Sequence, residues 1–312
     1  MRHRARIALP LLLLVAATPA AARPCAAIDA DARAGIADRD LPALSRLVDE
    51  AARPDAGCTD AWRAALGDDV ANAHVDAFFA AVEADGDAAA HLDLLEAGRR
   101  FGAPWQLILT LAEVRYERAD YDGAAPLYEQ AVATLARRAA TGSDADLAAL
   151  PDEAAFREIH ARMATAALLA STYETPAVTR GDPASGLYAE RYRGFTVAAV
   201  PVPVQFEFGT TAFTEKGRRA AEHLAAYLRA SHLAAVTLVG HTDTVGGDAD
   251  NMALSLARAE AVRAFVAAAG YSGRITVEGR GEREPFRGPD DARFAGDAAA
   301  RDALDRRVEL IR

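Results

Sequence analysis

The stretch Ala235-Val236-Thr237-Leu238-Val239-Gly240-His241-Thr242-Asp243, with Gly246-Gly247 and then Asn251 to Ala269 behind it, decides how the C-terminal third folds. Ala235 to Gly240 has the β-branched and aliphatic composition of a buried strand, and the apolar positions from Asn251 onward recur at helical spacing until Gly270 stops them. Outward from this pair, Thr214 to Ala230 reads as a helix with Thr214 as its N-cap. Arg274 to Glu278 and Arg307 to Ile311 read as further strands. Pro201 and Pro203 sit in the β-rich run Val200 to Phe208; proline donates no ladder hydrogen bond, so this run belongs before a strand or on a sheet edge. Alternating strands and helices over about 110 residues predict an α/β sandwich.

Five spaced blocks carry a resemblance. They are Phe206-Glu207-Phe208 with Phe213-Thr214; Gly240-His241-Thr242-Asp243 with Gly246; Asn251 with Leu254-Ser255 and Arg258-Ala259; Gly279-Arg280-Gly281-Glu282 with Pro285; and Arg306-Arg307-Val308-Glu309. In this order they resemble the OmpA-like peptidoglycan-binding domain over about Val202 to Arg312. Two positions depart from the pattern: Gly209 stands where the family often has Asp or Asn, and Asp305 replaces the Asn usual before the two arginines.

Peptidoglycan stem peptides carry a zwitterionic centre, diaminopimelate in most Gram-negative walls, and a site for it needs an anion and a cation at fixed separation. A guanidinium fork suits the carboxylate. Asp243 lies just past a strand end; Asn251, Leu254, Ser255 and Arg258 share one face of the following helix, whose N-terminus adds partial positive charge. The resemblance implies that Asp243 takes the ammonium and Arg258 the carboxylate, with Thr242, Asn251, Leu254, Ser255 and Arg306 around them. Each has a plainer reading: Asp243 as an Asx-turn residue, Asn251 as an N-cap, Arg258 as a surface ion-pair residue, and Arg306 as decoration of the last strand. His241 is expected to be a hydrogen-bonded structural histidine. No His-Glu-x-x-His, Gly-x-Ser-x-Gly or phosphate-cradling loop is present, so a non-enzymatic binder without cofactor or metal is expected. The alternative is a helical scaffold whose OmpA-like domain has lost ligand binding.

Between Ala26 and about Tyr173 the apolar positions recur at helical spacing, interrupted by Asp38-Arg39-Asp40, Pro54-Asp55-Ala56-Gly57 and Asp85-Gly86-Asp87. Short helices joined by tight turns predict an all-α array of helical hairpins. Trp105 to Leu135 resembles one tetratricopeptide unit: Ala112, Ala124 and Ala131 let two helices approach, and Leu111, Tyr116, Tyr121 and Tyr128 fill the groove. Asp40 to Ala52 and Ala77 to Arg99 have the rhythm of degenerate hairpins. The array is either a docking surface for an envelope protein partner or a spacer whose aromatics are all core. Pro176, Gly181, Asp182, Pro183 and Gly186 mark a linker over 175–197 between this domain, 23–174, and the C-terminal domain, 198–312.

The 312 residues suit two domains. At the N-terminus, Arg2, Arg4 and Arg6, an apolar run from Ile7 to Ala17 and Ala20-Ala21-Ala22 have the order of a secretory signal peptide over 1–22. Its loss would take the formal charge from -10 to -13, which argues against nucleic acid as a partner. No later segment is long and apolar enough to span a bilayer, so a periplasmic, wall-associated protein is expected. Cys25 and Cys58, the only two cysteines, read as a disulfide in an oxidising compartment or as two buried thiols; lipidation of Cys25 is disfavoured by Arg23-Pro24 before it.

Overall fold

The structure, a computed structural model, describes residues 23–143, 147–173 and 186–312. The expected signal peptide lies outside the described residues. The chain forms two compact units, one up to Val70 and one from Ala71 to Arg312.

In the first unit, helix α1 (Cys25–Asp38) and helix α2 (Leu41–Ala51) form a hairpin. Arg39 adopts the left-handed conformation between them, and the Asp40 carboxylate accepts from the Ala43 N–H at 2.9 Å, satisfying one orphan donor of the new helix. Ile28 and Leu44 are buried at this contact. The partner of the expected hairpin over Asp40 to Ala52 is thus the helix before it. A 3₁₀ turn (Pro54–Ala56) and Gly57 at φ 69° lead into helix α3 (Asp60–Asp85). A Cys25–Cys58 disulfide ties the first residue of α1 to the segment that enters α3.

In the second unit, helix α4 (Leu92–Gly98) precedes helix α5 (Trp105–Glu117) and helix α6 (Tyr121–Thr141). The Asp120 carboxylate caps α6 through the Gly123 N–H at 3.0 Å. Ala112, Ala124 and Ala131 are fully buried, as close approach of α5 and α6 requires. Tyr116 meets Tyr121 and Tyr128 edge-on at 5.6 and 6.0 Å; Tyr116 and Tyr128 are fully buried and Tyr121 is half-buried against them. Helix α7 (Glu153–Leu169), capped by Asp152, packs beside α6.

The expected linker is corrected where the structure describes it. From Gly186 to Val197 the chain is built into the core, and residues 174–185 lie outside the described residues. Tyr188 stacks on Tyr227 at 4.6 Å and Tyr192 on Phe156 at 3.8 Å. Strands β1 (Arg191–Tyr192) and β2 (Phe195–Thr196) form a small hairpin there. Apolar side chains recurring over so short a span leave no helical or strand period to read, whereas the Gly and Pro before them are conspicuous.

Strands β3 (Ala199–Val202), β4 (Ala235–His241), β5 (Arg274–Gly281) and β6 (Val308–Ile311) make a four-stranded sheet in the order β3-β6-β4-β5. The β4/β5 pair is parallel; β6 runs antiparallel to both neighbours. Pro201 lies in edge strand β3, where its missing N–H costs no ladder bond. Helix α8 (Glu215–Ser231) starts at the expected N-cap, with the Thr214 hydroxyl accepting from the Gly217 N–H at 3.0 Å. Helix α9 (Asp248–Ala268) crosses from β4 to β5. A Cβ at Gly240 would lie 2.0 Å from the Ser255 carbonyl oxygen, so only glycine lets α9 sit this close to β4. Helix α10 (Ala298–Asp305) leads into β6. No helix among the described residues is long and apolar enough to cross a membrane.

Candidate functional site

The site forms where β4 ends. Its register against β5 shifts between Gly240 and His241, and the Thr242 N–H donates to the Gly281 carbonyl at 2.9 Å. That irregularity turns Thr242 and Asp243 off the sheet end toward the first turns of α9, as bulges at functional sites commonly do. Ser255, fully buried, fastens the opposite side: its hydroxyl accepts from the Gly281 N–H and donates to the Met252 carbonyl, both at 2.9 Å. Ser255 therefore holds the frame of the site, with its hydrogen-bonding capacity directed inward.

Asp243 is 5% exposed and Arg258 4% exposed. Burial of this kind excludes the surface ion-pair reading of Arg258. The Asp243 carboxylate accepts from the Val245 N–H at 3.1 Å through Oδ1 and from Arg306 Nη1 at 2.6 Å through Oδ2. The Asx-turn reading is correct for one oxygen, and an ion pair occupies the other. Arg258 Nε donates to the Thr210 carbonyl at 3.1 Å, and the guanidinium lies 5.1 Å from the Phe206 ring centre. Its two terminal nitrogens make no hydrogen bond among the described residues. Burial holds Arg258 below its ordinary pKa, the neighbouring Arg306 adds to the shift, and Asp243 opposes it. Two guanidiniums and one carboxylate thus lie close together, and the arginine without a salt bridge among the described residues is the more buried one.

Asn251 is not the N-cap. The cap is Gly247, and Asn251 stands in the first turn of α9, its Nδ2 donating to Glu282 Oε2 at 2.7 Å and to the Asp243 carbonyl at 3.3 Å. Its carboxamide thereby ties the β5 end to the Asp243 turn. Thr242 is buried, its hydroxyl without a hydrogen-bond partner among the described residues, and Leu254 is half-buried on α9. Phe206 and Thr210, which brace Arg258, could not be assigned that role from the sequence, because one acts through its ring face and the other through its backbone. Arg306, partly buried, was among the expected residues; its pairing with Asp243 was not.

His241 is buried, yet among the described residues neither ring nitrogen has a hydrogen-bond partner, and Glu309 is 3.8 Å away. The expected hydrogen-bonded histidine is corrected accordingly. Burial, with Arg307 and Arg280 adding, lowers its pKa to about 4 against an opposing Glu284, so it is neutral at pH 7. Of the two departures, Asp305 accepts from the Phe286 N–H at 2.6 Å and is a buried framework residue. Gly209 sits at φ 68° in the turn that brings Phe206 opposite Phe213.

Residues 205–295 match the OmpA family. The OmpA-like domain therefore contains Asp243, Arg258 and Asn251, while Arg306 lies beyond the matched segment. Outer membrane protein A of Shimwellia blattae is 36% identical over 114 residues, covering 34% of this chain and 46% of the relative. Outer membrane protein A of Bordetella avium is 33% identical over 106 residues, covering 34% and 51%. The chain spans about half the length of these relatives. The solved peptidoglycan-associated lipoprotein from Burkholderia pseudomallei aligns with a TM-score of 0.30 at 24% identity, over 36% of this chain and 88% of that one.

Proposed function

We propose that the OmpA-like domain binds cell-wall peptidoglycan noncovalently, through the diaminopimelate centre of the stem peptide, and does no chemistry on it. The observation that carries this reading is Arg258: a guanidinium 4% exposed whose terminal nitrogens make no hydrogen bond among the described residues, with the Asp243 carboxylate nearby. A buried cation without an anion is costly, and a ligand carboxylate in bidentate contact with its fork would neutralise it. The ligand ammonium would then lie against Asp243, whose oxygens each keep a second lone pair beyond the Val245 and Arg306 contacts. Thr242 and Leu254 would line the same opening, while Asn251 and Ser255 hold its walls. In this reading the chain is exported after removal of residues 1–22, faces the periplasm, and offers its helical region to an envelope partner.

One observation favours a second reading, a helical scaffold without ligand binding: Arg306 already neutralises Asp243. Retention on purified sacculi, with displacement by free meso-diaminopimelate, separates the two. Retention that is displaced supports the binder. Absence of retention by the folded chain supports the scaffold.

A further inference from the structure

The β5–β6 connection, residues 282–307, contributes to the site at both ends: Glu282 holds Asn251, and Arg306 holds Asp243. Its middle rests on the helical region. The Asp290 carboxylate accepts from Arg162 of α7, at 3.1 Å to Nε and 3.4 Å to Nη2, while Arg162 Nη1 donates to Glu113 of α5 at 2.6 Å. Arg293 reaches the C-terminal end of α5, donating to the carbonyls of Tyr116 and Glu117 at 2.9 and 2.6 Å and pairing with the Glu117 carboxylate at 2.8 Å. A cation there meets the orphan carbonyls and the negative end of the helix dipole. Next to these contacts, Phe286, Phe294 and Leu304 form a buried cluster with Leu168 of α7. The Phe286 N–H is the group held by Asp305, the residue before Arg306.

From this continuous set of contacts we infer that the helical region positions the ligand site, with Arg162 and Arg293 as positioning residues that act through the docked 286–305 segment on Arg306 and hence on Asp243. The inference rests on the peptidoglycan-binding reading above. Without its docking, the segment loses two arginine anchors at once. The place of Arg306, and with it the field at Asp243 and Arg258, is then no longer fixed by the helices. Coupling of this kind changes affinity without a matching change in stability, so the two are measured separately.

The measurement is calorimetric titration of the full chain with the soluble stem tripeptide ending in meso-diaminopimelate, at a temperature well below melting, with a melting curve for each variant. Asp290→Asn, nearly isosteric, and Arg293→Gln are expected to weaken binding about three- to tenfold, within the range for residues that touch no ligand. Lys216→Met is the control. Lys216 on α8 donates to the backbone carbonyls of Leu168 and Ala170 at the end of α7, so its loss destabilises the helix–sheet joint while the Leu168 side chain that packs on the segment, and both arginine anchors, stay in place. It should lower the melting temperature and leave affinity within twofold of wild type. Wild-type affinity in both Asp290→Asn and Arg293→Gln overturns the inference and leaves the function standing. Equal weakening in Lys216→Met also overturns it, because binding would then follow general stability. A folded wild-type chain that does not bind overturns the proposed function and this inference together.

Discussion

At the residue scale, the functional weight falls on two buried charges whose environments differ. Asp243 is ion-paired and turn-bonded, whereas Arg258 has a carbonyl and a ring face but, among the described residues, no salt bridge. Truncation therefore has different consequences on the two sides. Asp243→Ala leaves two guanidiniums close together without their carboxylate, so it should lower the melting temperature as well as abolish retention on sacculi. Arg258→Ala removes the uncompensated charge, so retention should be lost with a smaller thermal penalty. Arg258→Lys should fail too, since an ammonium cannot reproduce the fork. Losing one partner of a desolvated ligand ion pair costs about 2 to 5 kcal/mol of binding, enough to empty a sacculus pulldown. Wild-type retention by folded Asp243→Ala and Arg258→Ala would refute the site. Sequence spacing places Asp243 after a strand and Arg258 on the next helix, and both stand there; what it does not convey is burial. Exposure depends on how the 206–213 turn and the β6 end close over the two side chains, and neither is near them in sequence.

At the element scale, caps and turns were the most legible features, because each depends on a few adjacent residues. Thr214 begins α8 as its spacing requires, and Asp85 ends α3 at the expected break. The cysteine pair was legible only as alternatives, and the structure closes the disulfide. It lies across a sequence separation of 33, for which loop-closure entropy gives about 3 to 4 kcal/mol of stabilisation. Cys25→Ser should accordingly destabilise the α1–α2 hairpin by up to that amount while leaving retention on sacculi intact, since every proposed ligand contact lies in the other unit. Proteolysis of residues 23–70 under reducing and oxidising conditions measures the first effect, and the sacculus assay the second. A variant as protease-resistant as the oxidised wild type would show that the bond adds nothing there.

At the scale of the 71–312 unit, the helical region and the OmpA-like domain share one hydrophobic core, and their joint holds buried titratable groups. His160 of α7 meets the Leu187 carbonyl at 3.1 Å and His223 of α8 meets the Tyr173 hydroxyl at 3.0 Å, while a third buried histidine, His241, ends β4 away from the joint. Burial lowers the pKa of each to about 4, against about 6.5 in the unfolded chain. The unfolded state thus binds protons first. Stability from these groups is complete above about pH 6.5 and falls as pH drops toward 4, where the folded histidines charge as well. At about 1.4 kcal/mol per pKa unit, each histidine contributes on the order of 2 kcal/mol to that loss after allowance for relaxation. His160 and His223 lie on different sides of the joint, so acid should weaken both sides together. Calorimetry between pH 7.5 and 4.5 should show one transition for the 71–312 unit moving steeply down through pH 6, and His160→Gln or His223→Gln should flatten that slope. Two transitions with only the helical one responding to pH would mean that the helices and the sheet unfold independently.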